Sequence, residues 1–374
     1  MSEEAILLNL KYVYQKYEEY FTRFFSPFLL IQNKFQLYRH GDRGPISSYP
    51  NDPYFDIKYW PNGFGQLVDQ GKLNQFNLGK WLRRRYSGFI SEKYNAQEIF
   101  VRSSDVDRTL MSAATNLAGL YYPTTSSEMW QDGLPWDPVP IHTAPEDDDE
   151  IVAMSKYCNK FETLYTELIN SEYFEKVKEE HESLFSFVSL KTGWNVTDIS
   201  TFQGLYTTFY VYRTLNPSFL PEWSSRIDER EISYLAGLSF SRETFTKDLQ
   251  RLKVGPFMNY LNTHFDGAIE GTSTKFLMIS GHDGTIAGIL NTFGAYDYHP
   301  PEFSSTIIWE LRKSPVGIYY LNIFYKRNST ESLEKITIEG CTLDCAYDEY
   351  KNLLKSIAVD STEWEKECRN DGSI

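Results

Sequence analysis

KFLMISGHDGTIAGILNTFGA, residues 275–295, sets the fold class. Lys275 to Ser280 read as a buried strand, because the run is apolar and bounded by turn residues. A small glycine-flanked turn carries His282 and Asp283, and helical spacing resumes near Thr285. Two further segments repeat this order. Phe28 to Tyr38 form a strand running into LYRHGDRGP, residues 37–45. In EIFVRSSDVDRTLMSAATNLAGLYY, residues 98–122, Glu98 to Arg102 form a strand and Ser103 to Asp107 a polar turn. Leu110, Ala114, Leu117 and Tyr121 then share a helical face. Arg108 sits at that helix start, behind the capping candidates Asp105 and Asp107. Three strands thus end in charged turns, and in an open α/β sheet ligands bind beyond the carboxyl ends of the strands.

Composition limits the alternatives. The chain has 374 residues, enough for one large domain or two. Hydrophobic residues make up 41 % and aromatics 16 %, which excludes a disordered chain. A formal charge of −14 argues against nucleic acid as main partner, since that binding needs a basic footprint. No run of 18 apolar residues occurs, so no transmembrane segment is expected. The opening MSEEAILLNL lacks a basic n-region and by itself suggests the cytosol. The cysteines suggest the opposite. Cys158, Cys341, Cys345 and Cys368 form an even set, and CTLDC has no nearby histidine, which favours a short-loop disulfide over zinc. Asn195 and Asn328 head sequons and are glycosylation candidates if the chain is secretory.

Residues 3 to 25 read as a helix ended by Pro27, and residues 1–27 as a helical extension. Gly63 and Gly65 open a helix that continues to Tyr86; the third glycine and the preceding strand of a dinucleotide site are missing. A connection rich in Pro and Trp, LPWDPVPIHTAP (134–145), leads to EDDDE (146–150), read as a solvated acidic first turn of a long helical stretch. The expected division is an α/β catalytic domain over 28–145 and 251–374, with a helical insert domain over 146–250.

The charged turns make chemical sense together. A phosphoryl group needs donors converging from several directions, which Arg39, Arg43 and Arg108 supply as planar, permanently charged forks. A neutral imidazole among such cations stays unprotonated and can attack phosphorus, which makes His40 the candidate nucleophile. The departing oxygen needs a proton, for which Asp283 is the candidate acid, with His282 as a further hydrogen-bond donor to the phosphate.

These residues resemble the signature of the histidine acid phosphatases, RHGxRxP with a distant HD, here Arg39 to Pro45 and His282-Asp283. WPNGFGQL, VRSSDVDRTLMSAATNL, PVPIHT and GCTLDC are similar, in order and spacing, to segments of the family's prostatic and lysosomal branch. The resemblance implies a three-layer αβα sandwich of the phosphoglycerate mutase-like kind, with a smaller, mainly helical insert. It implies a phosphohistidine on His40, phosphate held by Arg39, Arg43, Arg108 and His282, and Asp283 as proton donor. No cofactor and no metal are implied. The implied disulfides are Cys341–Cys345 and Cys158–Cys368, and the implied location is lysosomal or secreted. A homodimer is implied through the segment holding Trp136 and His142. Gly44 and Gly284 stand where the family commonly has bulkier or hydroxylated residues. The expected activity is hydrolysis of small-molecule phosphate monoesters. The rival readings are a phosphomutase, a phytase and a non-catalytic phospholigand binder; a phytase favours a basic mouth, of which a −14 chain gives little sign.

Overall fold

The computed structural model describes residues 30–369, so the helix expected over 3–25 and the 1–27 extension lie outside the described residues. The three strands run Leu30–Arg39 (β1), Ile99–Ser103 (β2) and Phe276–Gly281 (β3). β1 and β2 flank β3 and pair with it in parallel, with Arg39 opposite Gly281 and Ser103 opposite Ser280. Their carboxyl ends are therefore level, and the three charged turns leave the sheet side by side. Thr306–Lys313 (β4) pairs antiparallel with β1, and Tyr319–Lys326 (β5) with β4. Two short strands, Glu334–Ile336 (β6) and Cys345–Ala346 (β7), pair with β5. The order is β2-β3-β1-β4-β5-β6, with β7 also on β5.

Alternation along the strands feeds two apolar faces. Tyr38, Val101, Phe276, Met278 and Ile308 meet Leu78 and Leu82 of α1 (Asp69–Arg85) and Leu117 and Leu120 of α2 (Asp107–Leu120). A helical stretch follows: α3 (Asn159–Ile169), α4 (Glu172–Glu180), α5 (Glu182–Thr192), α6 (Ser200–Leu215) and α7 (Glu229–Ser241). Residues of α4 to α7 bury a cluster of their own around Phe185, Phe202, Leu205 and Leu235. The chain then returns through α8 (Lys247–Lys253), α9 (Gly255–Glu270), α10 (Asp283–Thr292), α11 (Tyr347–Leu353) and α12 (Ser361–Arg369). Phe257, Leu261 and Phe265 of α9 and Ile286 and Ile289 of α10 cover the other sheet face, against Phe35, Leu37, Leu277, Ile279 and Trp309. This is the expected three-layer αβα sandwich.

Two local readings change. The buried side of α2 carries Thr109, Ser112, Ala113, Asn116, Leu117, Gly119 and Leu120, while Ala114 is exposed. The cause is a close helix crossing: a Cβ on Gly79 would lie 2.0 Å from the Asn116 carbonyl oxygen, and one on Gly119 2.0 Å from that of Phe76. Small and polar residues occupy the contact beside Leu117 and Tyr121, which are buried, so apolar spacing found one edge of the buried face and missed the small-residue seam. In EDDDE, residues 146–148 make a single 3₁₀ turn and the next α-helix starts only at Asn159. Asp149 is fully buried. It accepts from Arg102 at 2.8 Å and from the amides of Ile151, Val152 and Ala153, so it is a structural anchor and not a solvated helix start.

Both implied disulfides are present: Cys158 is joined to Cys368 and Cys341 to Cys345. The first closes a separation of 210 residues and ties α12 to the start of α3. In the chain-entropy account such a loop contributes on the order of 5 kcal/mol. Thiol titration in denaturant should accordingly find no free thiol before reduction and four afterwards; thiols titrating without reductant would contradict the pairing.

Candidate active site

Arg39 ends β1 with its side chain almost fully buried. Nη2 pairs with Asp283 Oδ2 at 2.7 Å, Nη1 donates to the Pro301 carbonyl, and the guanidinium lies 4.2 Å from the Phe303 ring centroid. His40 follows, 1 % exposed, with its ring 5.7 Å from Phe303 and 5.8 Å from His282. Its Nδ1 lies 2.9 Å from the Gly41 carbonyl. A carbonyl only accepts, so Nδ1 carries the proton and Nε2 presents a lone pair. Burial pushes the His40 pKa well below the usual histidine value, and Arg39, Arg43, Arg108 and His282 push it further. Burial and the surrounding cations therefore both favour the neutral imidazole.

Arg43 donates through Nη1 to the Gly44 carbonyl at 3.0 Å. The Nε atoms of Arg39, Arg43 and Arg108 are buried and have no hydrogen-bond partner among the described residues. Donors left unspent around one imidazole suit an oxyanion that would use them. Arg108 does not pair with its neighbours Asp105 and Asp107: Asp107 accepts from Gln66 at 2.8 Å, and Arg108 forms no ion pair among the described residues.

His282 and Asp283 sit at the start of α10, where unpaired amides favour an anion. Burial, followed by Arg108, lowers His282 to about 4. Burial would raise the Asp283 carboxyl, but Arg39, Arg43 and His282 outweigh it and hold the group below its ordinary value. A cavity of about 340 Å³ opens beside these residues, lined also by Arg108, Glu146, Arg242 and Gly284. A Cβ on Gly284 would meet nothing within 4 Å, so the missing side chain leaves room there. At Gly44 a Cβ would approach Trp60 at 3.2 Å.

All six residues expected from the charged turns thus converge. Their support was not foreseen. Gln75, fully buried on α1, donates to the Arg39 carbonyl at 2.9 Å and to Ser304, and accepts from Asn116 of α2. Ser112 of α2 receives the Gly41 amide at 3.0 Å, and Asn74 donates to Asp42. Ser104, just past β2, holds His282 Nε2 at 2.8 Å. These are polar side chains on helix or strand ends whose partners lie tens to hundreds of residues away. The one usable signal was polarity on an inward helical position.

A family model, Histidine phosphatase superfamily (branch 2), matches residues 32–316. The chain belongs to this superfamily. It is 32 % identical over 338 residues to the prostatic acid phosphatase of Bos taurus, covering 89 % of this chain and 86 % of that one. It is 32 % identical over 346 residues to the lysosomal acid phosphatase of Xenopus laevis, covering 90 % and 78 %. Among solved structures, the Hafnia alvei phytase in complex with tartrate matches with a TM-score of 0.68 at 15 % identity, covering 89 % of this chain and 98 % of that one. That similarity shows the shared fold. The resemblance to histidine acid phosphatases read from RHGDRGP and HD therefore extends over nine tenths of the chain.

The remaining expected residues lie away from His40. Asn195 is exposed; Asn328 donates to Glu302 at 3.0 Å and accepts from Thr330 and the Glu331 amide. Trp136 is exposed, and His142 stacks on Phe100 with ring centroids 4.6 Å apart. No helix among the described residues is long and apolar enough to cross a membrane.

Arg108 offers a direct test of the cradle. A hydrogen bond to a charged group is worth about 1.5–3 kcal/mol, so Arg108→Ala should weaken phosphate inhibition and turnover roughly ten- to a hundredfold. Its thermal midpoint should change little. Normal kinetics with a lowered midpoint would assign Arg108 to structure instead.

Proposed function

We propose that this protein is an acid phosphatase that hydrolyses small phosphate monoesters through a phosphohistidine on His40. The observation that carries the reading is the His40 Nδ1 hydrogen bond to the Gly41 carbonyl, which leaves the lone pair on Nε2 of a ring that feels three arginines with unspent donors. In the proposed cycle Arg39, Arg43, Arg108 and His282 hold the phosphoryl oxygens. Nε2 attacks phosphorus, the P–O ester bond breaks, and the departing oxygen takes the proton of Asp283. Water then attacks the phosphohistidine. The Asp283 carboxylate accepts a proton from that water, the P–N bond breaks, and phosphate and neutral His40 are regenerated. Burial and the neighbouring cations both disfavour protonation of this nucleophile, the direction an enzyme working in acid needs.

A polyanionic inositol phosphate is a poorer match. Glu146 and Glu243 face the cavity beside Arg108, and Glu302 stands near Arg39, so the mouth is of mixed charge. The same reading includes a lysosomal or secreted location, where an oxidising route keeps both disulfides, and a homodimer through the segment around Trp136. The residues 146–250 form the insert domain of the proposal and wall the leaving-group side. The deciding experiment is a panel of aryl, alkyl and inositol phosphates assayed across pH. Release of inorganic phosphate from simple monoesters, fastest in acid, supports the reading. Transfer to a sugar acid without net phosphate release would make the protein a mutase, and a strong preference for inositol phosphates a phytase.

A further inference from the structure

The hydrogen bonds around His282 can be counted proton by proton. Thr109 Oγ1 lies 2.7 Å from the Val106 carbonyl and 3.0 Å from the Ser104 carbonyl. Carbonyl oxygens only accept, so the single Thr109 hydroxyl proton goes to the backbone. Thr109 Oγ1 also lies 2.8 Å from Ser104 Oγ, and in that contact it can only accept. The Ser104 hydroxyl proton is thereby committed to Thr109. Ser104 Oγ meets His282 Nε2 at 2.8 Å with no proton left to give, so the proton in that contact belongs to Nε2. The neutral ring then carries its lone pair on Nδ1, which makes no hydrogen bond among the described residues. His282 lines the cavity with Arg108 and Asp283.

We propose that Thr109 and Ser104 are positioning residues that fix the His282 tautomer, and that the acceptor Nδ1 so created makes the site prefer a phosphate oxygen that still carries a proton. The inference rests on His282 being a phosphate ligand. A neutral His282 with Nδ1 bare cannot donate to a fully ionised phosphoryl group; it can accept from a P–OH. The arginines bind either form through charge, and His40 Nε2 and the Asp283 carboxylate can also accept from a P–OH, so the share due to His282 is the part that changes when its tautomer is changed. The groups facing it are His40, Arg39 and Arg43 beyond β1, Arg108 on α2, Asp283 on α10 and Glu146 beyond the Pro-rich connection. The cations among them oppose a second proton on the ring, and burial acts in the same sense. Monoanion selection ties substrate use to acidic solution independently of Asp283.

The test compares two tetrahedral anions as competitive inhibitors at one mildly acidic pH: inorganic phosphate, there mainly H₂PO₄⁻, and sulfate, which carries no proton. Both meet the same arginines, His40 and Asp283 in wild type and variant, so the change in the ratio of their inhibition constants between the two proteins isolates the contact made by His282. Thr109→Val keeps the shape but frees the Ser104 proton, which then goes to His282 Nε2 and moves the ring proton to Nδ1. The wild-type preference for phosphate over sulfate should fall about ten- to a hundredfold in Thr109→Val. The ¹⁵N shifts of His282 read the tautomer directly in the wild-type protein, whether or not the variant folds. They should show Nε2–H in wild type and Nδ1–H in Thr109→Val. An Nδ1–H or doubly protonated His282 in the wild-type protein would overturn the proposal. The expected tautomers with an unchanged inhibition ratio would overturn it differently, by removing His282 from the phosphate contacts.

Discussion

His40→Ala should leave no acid-labile, alkali-stable label after a quench with labelled substrate, and kcat should fall on the order of 10⁴-fold or more. The size follows from what is lost. The arginine cradle remains, so substrate binding survives, but the lone pair of His40 is gone. The imidazole is aligned by the Gly41 carbonyl and held between Phe303 and His282. A water entering the vacated space would be unaligned and would lack the entropy advantage of a fixed nucleophile. Rapid-quench labelling of wild type and variant checks this. Label of the same stability persisting in His40→Ala would move the nucleophile elsewhere, with His282 the first suspect.

Asp283→Asn should separate substrates by their leaving groups. If Asp283 only orients its neighbours, every substrate slows by one factor. If it donates the proton, alkyl phosphates should lose about 10²- to 10⁴-fold in single-turnover phosphorylation, while nitrophenyl phosphate, whose phenolate leaves unaided, loses far less. Single-turnover rates are needed because steady-state rates can report hydrolysis of the phosphohistidine. Equal fractional losses on both substrate types would remove the proton-donor role.

The pH dependence has a definite sign. In the unliganded protein Arg39, with Arg43 and His282, outweighs burial and keeps the Asp283 carboxyl below its ordinary value. A bound phosphate draws on the same guanidiniums and adds negative charge, so the carboxyl rises on binding. Donation requires the protonated form; phosphorylation of alkyl substrates should therefore slow as pH rises through the bound value, and Asp283→Asn should lose that limb. For folding the linkage runs the other way. A lowered carboxyl contributes stability above its unfolded pKa, and the contribution is lost as pH falls through the lowered value.

The sheet and the reactive set were legible because both rest on local patterns. An apolar run, a polar turn and a helical repeat occur three times, and each turn places its charged residues at the carboxyl end of a strand whatever the rest of the chain does. The second layer was not legible. Gln75, Ser112, Asn116 and Ser104 are chosen by partners distant in sequence, such as the Arg39 carbonyl, the Gly41 amide and the His282 ring. Asp149 is similar: within EDDDE nothing distinguishes it from its solvated neighbours until Arg102 is brought alongside. On α2 the spacing of Leu110, Ala114, Leu117 and Tyr121 was a genuine helical signal. It gave the element and, through Leu117 and Tyr121, one edge of its buried face, but missed the seam at Ser112, Asn116 and Gly119, because hydrophobicity cannot report a contact made through glycine.

The crossing of α1 and α2 also bears on how this protein could be engineered. Replacing a mid-helix glycine by alanine is a routine route to thermostability, gaining up to about 1 kcal/mol in helix propensity. At Gly79 and Gly119 the same change acts as a wedge, since each new methyl would sit 2.0 Å from the backbone of the opposite helix. One helix holds the Arg39 carbonyl through Gln75, and the other carries Arg108 and receives the Gly41 amide. Prising them apart would widen the anion cradle itself. A consensus or propensity-guided library should therefore exempt these two positions, and the distance between the helices is a sensible first quantity to hold constant when the fold is grafted or redesigned.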